Sequence, residues 1–302
     1  MRALLPGAAA ALRSARGCSQ WPSCDWKGRS FTSIRLSEAQ VEAYRRDGFL
    51  LPGFQLEADH LASARRALDE LLERNPDVMP EQLVNSHLAD GEGEAQGVRG
   101  SAEFLKLAAH TPLVELVAQC LGTENVILWA CQIFCKLPGE GKAVPFHQDG
   151  QYWPIEPLRA CTAWIALDRS DAQNGALQVL PGTHSKSYVE HIQREDEEAC
   201  ISFIADPEAV APQRPKATML ELEPGQVSLH DSMLLHGSER NLSRRRRAGV
   251  AAVYMPAECH FNREVETEGA RKGGLKLDFD KRPLFVVRGA NQNPNNTLLR
   301  TL

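Results

Sequence analysis

The stretch Val144-Pro145-Phe146-His147-Gln148-Asp149-Gly150 decides how the rest of the chain reads, and it is answered downstream by Leu235-His236-Gly237-Ser238 and Arg247. His147 and Asp149 stand at i and i+2. On an extended segment that period sends both side chains to one side of the sheet. His236 arrives only after a long interval, which suits strands that meet in a folded barrel. Two imidazoles and one carboxylate cover one face of a metal and leave the other open, the arrangement that holds non-haem Fe(II) while admitting a cosubstrate and O₂. Arg247, eleven residues past His236, opens the apolar run Ala248 to Tyr254. A planar guanidinium there suits the distal carboxylate of a bound oxo-acid, held by two parallel hydrogen bonds.

Each of these residues has a plainer reading. A lone histidine on an apolar strand is more often a hydrogen-bonded core residue than a ligand. Asp149 before Gly150 fits a turn residue accepting backbone N–H groups. Arg247 ends the run Arg244-Arg245-Arg246-Arg247, and such a run is usually a solvated loop or a phosphate-seeking patch. Arg245 and Arg246 are therefore rivals to Arg247. His230-Asp231 is a rival to His236, because it sets a histidine beside a carboxylate and shares the strand parity of His236. His236 is preferred for the Gly237-Ser238 that follows it and for its offset to Arg247.

Read together, the region from about Gln132 to Tyr254 resembles the phytanoyl-CoA dioxygenase family of Fe(II)/2-oxoglutarate oxygenases, which includes ectoine hydroxylase and related small-molecule hydroxylases. The matching pieces run in order: the HxD of His147-Gln148-Asp149, then Ala163-Trp164-Ile165-Ala166-Leu167, then Asn174-Gly175-Ala176-Leu177-Gln178-Val179-Leu180-Pro181-Gly182-Thr183-His184. Leu235-His236-Gly237-Ser238, Asn241 and Arg247 complete them. An HxD alone is weak; the ordered set is strong. The resemblance implies a mainly β fold with a helical buttress, a double-stranded β-helix (jelly roll, cupin-like). It implies iron on His147, Asp149 and His236, and 2-oxoglutarate contacts at Gln132, Trp164, Ser238 and Arg247. Gln148, Tyr152 and Trp153 become expected substrate neighbours, and His184 a structural residue closing its turn. The implied reaction hydroxylates an unactivated C–H bond with release of succinate and CO₂, consuming O₂ and using ascorbate as reductant. Asp149 favours hydroxylation over halogenation, since related halogenases carry a small residue at that position.

The remaining chain sets the frame. At 302 residues, 43% hydrophobic and 24% charged, it has room for one large β-rich domain. A net charge of −5, with no basic stripe interleaved with aromatics, argues against a nucleic-acid partner. No apolar run approaches bilayer length. Eight cysteines without a CxxC pair indicate a reduced, intracellular protein. Residues 1–34 are rich in Arg, Ala and Ser, the composition of a mitochondrial transit peptide, with an untargeted disordered tail as the alternative. The dioxygenase domain is then 35–302, with its core at about 125–256.

Ahead of that core, Ser37 caps an expected helix through Arg46, a short strand follows at Phe49 to Phe54, and Leu61, Ala64, Leu68, Leu71 and Leu72 mark a helix over 57–74. Residues 76–100 read as a mobile loop, 111–120 as a helix, and 185–216 as an acidic, irregular insertion. The tail after Tyr254 offers no motif. Two other classes stay open: a catalytically degenerate jelly-roll binding protein, and a metal-dependent hydrolase. No Glu base beside the metal suggests the latter, and Arg247 would have no task in it. The substrate is a small molecule, either a polar metabolite or an acyl-CoA. The only basic cluster suited to a CoA diphosphate is Arg244 to Arg246. Oligomeric state is not legible.

Overall fold

The computed structural model describes residues 34–89, 97–186, 188–265, 267 and 279–298. The leader up to residue 33 and the Arg271-Lys272-Gly273-Gly274 stretch lie outside them.

Local chemistry sets the helices. α1 (Glu38–Asp47) opens on a full capping box: the Ser37 hydroxyl accepts from Gln40 N, and the Gln40 side chain accepts from Ser37 N. α2 (Ala58–Arg74) buries Ala64, Ala67, Leu68 and Leu71 on one stripe. α3 (Ala102–Ala108), which the sequence pattern did not reveal, and α4 (Thr111–Leu121) follow, and a single turn, α5 (Pro207–Val210), comes much later. No single described helix is long and apolar enough to cross a membrane.

The strands are β1 (Phe49–Leu50), β2 (Leu83–Val84), β3 (Val126–Lys136), β4 (Val144–His147), β5 (Ile155–Glu156), β6 (Cys161–Ala166), β7 (Leu177–Val179), β8 (His191–Gln193) and β9 (Phe203–Ala205). β10 (Thr218–Leu220), β11 (Val227–Asp231), β12 (His236–Ser238), β13 (Arg247–Pro256), β14 (His260–Phe261) and β15 (Phe285–Arg288) complete them. A major antiparallel sheet runs β1-β11-β6-β13-β3-β15, with β2 also on β3; a minor one runs β10-β7-β12-β4. These are the two walls of a jelly roll.

Side-chain parity divides the major sheet. Cys131, Ile133 and Cys135 of β3, with Ala163 and Ile165 of β6 and Val250 and Ala252 of β13, pack in one core with Leu68, Leu71 and Leu116 of the helices. Burying each such Leu or Ile contributes about 1.5–3 kcal/mol. The opposite parity faces into the barrel and carries Gln132 and Lys136 of β3, Trp164 of β6 and Arg247 of β13.

Two readings need correction. Residues 76–100 are not simply a mobile loop: β2 pairs with β3, and Asn85, Ser86, His87 and Leu88 are buried against it. Residues 90–96 lie outside the described set. The 185–216 insertion is not wholly irregular, because β8 and β9 pair and Phe203, Ile204 and Ala205 are buried. The tail after Tyr254, which offers no motif, carries β15 and extends the major sheet from the free side of β3. The six described cysteines are all free and buried.

Candidate metal and cosubstrate site

β4 and β12 are neighbours in the minor sheet, and their register sets His147 directly opposite His236. The chain leaves β4 through Gln148 into a 3₁₀ turn starting at Asp149, which returns its carboxylate toward both rings. Asp149 Oδ1 lies 3.4 Å from His147 Nε2 and 3.8 Å from His236 Nε2. The three ligand atoms lie within 4.8 Å of one another. Each ring donates its Nδ1–H to the carbonyl two residues back: His147 to Pro145 O and His236 to Leu234 O, both at 2.9 Å. That fixes the tautomer with a lone pair on Nε2, as metal-ligating histidines require. The sequence could not name these partners. They are backbone groups, so no side chain advertises them.

Protonation agrees. Burial and the neighbouring His147 ring push His236 down to about 3, leaving it neutral. Burial drives the Asp149 carboxyl upward, but the surrounding imidazoles outweigh it and hold the group below the usual carboxylate range. Thr162 Oγ1, inward on β6, donates to Asp149 Oδ2 at 3.4 Å. Neutral imidazoles and an ionised carboxylate are the forms that bind a divalent metal.

Deeper in the barrel a second cluster gathers. Arg247 is buried, and its Nε donates to Gly175 O at 3.0 Å, with Nη2 on the same carbonyl. Its guanidinium lies over Trp164 at 5.1 Å. Gly249 permits this, because a Cβ there would sit 2.1 Å from the Trp164 ring. Gly175 adopts φ +81°, and a Cβ there would sit 2.3 Å from Glu239 O, so Asn174-Gly175 shapes the turn that presents the carbonyl to Arg247. Arg245 and Arg246 point elsewhere: Arg245 pairs with Asp171 at 2.8 Å, and Arg246 with Asp168 at 2.8 Å and Asp69 at 2.6 Å. The bases suited to a CoA diphosphate are thus largely committed to acids of the chain itself.

Sequence reasoning missed Lys136. It is the register partner of Arg247 on the adjacent strand, fully buried, and its Nζ donates to Ser238 Oγ at 2.8 Å. Burial, then the Arg247 charge, push its ammonium down to about 6; burial brings Arg247 down to about 10. Like charges directly opposed on neighbouring strands are destabilising. Two such basic groups beside a hydroxyl form a receptor for an anion, which draws a proton onto Lys136 when it binds. A lysine closing a strand reads as solvent-facing; its even parity with Gln132 was the available signal.

The remaining expectations divide. Gln132 shares the inward parity of Lys136, opposite Ala251. Tyr152 sets its ring 6.0 Å from His147 and donates its hydroxyl to Phe203 O. Trp153 packs on Trp129 at 5.2 Å. Gln148 Nε2 donates to Met233 O at 2.8 Å and its Oε1 accepts from Val189 N at 2.9 Å, so the amide braces loops beside the triad. His184 is structural, with Nε2 on Arg45 O at 3.1 Å. His230 stands inside, 3.8 Å from Asp149 Oδ2 and 4.7 Å between ring centres from His236. Its neighbour Asp231 turns away to accept from Met233 N. The rival pair is therefore split.

A jelly-roll barrel with two histidines and a carboxylate gathered between its sheets, and a buried arginine beyond them, is the architecture of the Fe(II)- and 2-oxoglutarate-dependent oxygenases. The sequence profile of phytanoyl-CoA dioxygenase (PhyH) matches residues 44–249. A probable phytanoyl-CoA dioxygenase of Caenorhabditis elegans is 26% identical over 259 residues, spanning 80% of this chain and 81% of its own. An ectoine dioxygenase of Sphingopyxis alaskensis is 24% identical over 270 residues, covering 84% and 87%. Among solved structures, EctD from S. alaskensis with 2-oxoglutarate and 5-hydroxyectoine shares the fold at TM-score 0.63 and 21% identity, over 91% of this chain and 90% of that one. The chain belongs to the phytanoyl-CoA dioxygenase family.

Proposed function

We propose that the chain hydroxylates a C–H bond of a small molecule, with Fe(II) on His147, Asp149 and His236 and the distal carboxylate of 2-oxoglutarate on Arg247, Lys136 and Ser238. The observation that carries this is the pair of tautomer-locked rings turning both Nε2 atoms toward Asp149. Bound iron supplies the activation of O₂, coupled to conversion of 2-oxoglutarate to succinate and CO₂, with the second oxygen atom entering the substrate. The protein's own groups position the partners. Three protein ligands on one face leave the opposite face for the cosubstrate. Arg247 and Lys136 set the depth at which 2-oxoglutarate lies, and Trp164 walls its flank. Thr162 orients the carboxylate of Asp149, and Tyr152 and His230 close the sides against water.

The test is succinate formation from 2-oxoglutarate with Fe(II) and ascorbate, for the wild type and for His147→Ala, Asp149→Ala and Arg247→Ala. Uncoupled turnover present in the wild type and lost in all three supports the assignment. Iron retained without turnover would mean that substrate gates O₂. A wild type that neither binds iron nor turns over would favour a jelly-roll binding protein. The Arg- and Ala-rich leader supports mitochondrial delivery, which imaging of the full chain and of a form lacking residues 1–34 would check.

A further inference from the structure

A second set of buried polar groups lies elsewhere in the barrel, and the chemistry above does not use it. Arg282 is 1% exposed, and its Nε and Nη1 have no hydrogen-bond partner. Its guanidinium stacks on Trp129 at 4.0 Å. Trp129 Nε1 is also buried without an acceptor, as are both ring nitrogens of His87 and Nε of Arg263. Among the described residues no carboxylate is set against Arg282; the charge that acts on it is the like charge of Arg263. Burial and the Arg282 charge hold the His87 imidazole neutral, pushed down to about 3. An isolated buried cation is among the costliest groups a fold can carry, and buried donors left unpaired add to that cost.

Secondary structure assembles these donors. β2 and β15 both lie on the free side of β3; His87 follows β2 and sets its ring at 5.7 Å against Phe285 of β15, a residue of the core under the helices. β3 bulges at Trp129, which faces no partner between Ala130↔Val253 and Leu128↔Tyr254. A bulge re-aims a side chain, and the Trp129 ring joins the cluster of Ile127, Ala130 and Val253. Trp153 covers Trp129 and lies only four residues past Asp149. The Trp129 and Arg282 donors thus share one aromatic cluster with Trp153. They are separate from the cosubstrate cations: Trp129 and Lys136 are seven residues apart on one strand, roughly 20 Å at the rise of a β-strand.

We propose that Arg282 and Trp129 form the recognition site for an oxyanion carried by the substrate, so that the enzyme acts on an anionic molecule whose apolar portion lies along Trp129 and Trp153 toward the iron. All the unpaired groups on Arg282, Trp129 and Arg263 are donors, which suits a carboxylate or phosphate and no cation. The proposal rests on the reading of His147, Asp149 and His236 as the iron site.

The experiment uses the full chain with Fe(II) and saturating 2-oxoglutarate without oxygen, titrated calorimetrically with octanoate, octyl phosphate and octanamide. The Fe(II)–2-oxoglutarate absorption is recorded on every sample, so that a fault at the iron site is seen separately. At least one anion is expected to bind about tenfold more tightly than the amide, and which one identifies the head group. Arg282→Gln is expected to abolish that preference. Equal binding of anions and amide by the wild type, or a preference that survives Arg282→Gln, overturns the proposal. Should Arg282→Gln fail to fold, Trp129→Phe deletes a single donor and is expected to weaken the preferred anion several-fold while sparing the amide. Equal weakening of both also overturns it.

Discussion

The two faces of the major sheet are made by the same strands yet obey different rules. Outward, Cys131, Ile133 and Cys135 alternate along β3 into a dry core under the helices. Inward, Gln132 and Lys136 of that strand meet a barrel that also contains Arg247, Trp164, Thr162 and His230. The outer face lowers the free energy of folding. The inner face raises it, with a buried lysine held largely uncharged opposite Arg247 and a histidine beside the triad that has no hydrogen-bond partner. Groups that a fold would discard for stability alone are kept where a ligand compensates them.

The largest effect should come from the triad. Asp149→Ala is expected to reduce succinate formation on the order of 10³-fold or more, the several kcal/mol that a metal contributes to catalysis. Because the surrounding imidazoles hold Asp149 below the usual carboxylate range, the fold favours its ionised form, and the metal-free variant should lose only a little thermal stability. A large drop in melting temperature of the metal-free protein would break the comparison, because it would make Asp149 a structural residue.

On the outer face the signs reverse. Ile133→Ala is expected to destabilise by about 2–5 kcal/mol, the range for a fully buried aliphatic truncated in a core. Turnover per folded molecule should stay at the wild-type level. Urea unfolding followed beside succinate formation separates the two, and a loss of turnover without a loss of stability would count against the division.

Lys136→Met cuts across both faces. The KM for 2-oxoglutarate should rise roughly 10- to 100-fold, as for one charge-assisted hydrogen bond, and stability should increase. The pH dependence follows from the lysine. Its ammonium is pushed down to about 6 in the folded chain from an ordinary 10.5, so between these values the unfolded chain binds more protons. Wild-type stability therefore gains from this group as pH rises from about 6 toward 10.5, and the variant lacks that gain. Binding of 2-oxoglutarate restores the charge, so at pH 7.5 it should take up a proton. Calorimetry in buffers of different ionisation enthalpy measures that uptake, and its absence would remove Lys136 from the site.

The inner face was only partly legible in the sequence. His147, Asp149, His236 and Arg247 could be read because period-two spacing and an ordered motif survive without structure. Asn174-Gly175 was visible as a motif, but its service to Arg247 was not, because a carbonyl has no letter. Lys136 was missed since charge at a strand end usually means solvent. His87 was hidden by polar neighbours: Asn85, Ser86 and His87 look like loop, yet they are buried against β3. Arg282 went unread because the tail's role depends on β15 reaching β3, a pairing more than 150 residues apart in sequence that no local pattern encodes.

The smallest effect should come from the arginine beside the site. Arg245 and Arg247 stand two residues apart with the same charge, one about half exposed against Asp171 and the other buried on Gly175 O. Screened surface pairs contribute about 0–1 kcal/mol, so Arg245→Gln should shift stability by no more than that and leave the KM for 2-oxoglutarate unchanged. Arg247→Gln should raise that KM steeply. Side-by-side titration of the two variants isolates burial as the variable, since residue type and local sequence are held nearly constant. If Arg245→Gln weakened 2-oxoglutarate as much as Arg247→Gln, the Asp171 pair would be bracing the Asn174-Gly175 turn, and the boundary between the two faces would have to be drawn one turn further out.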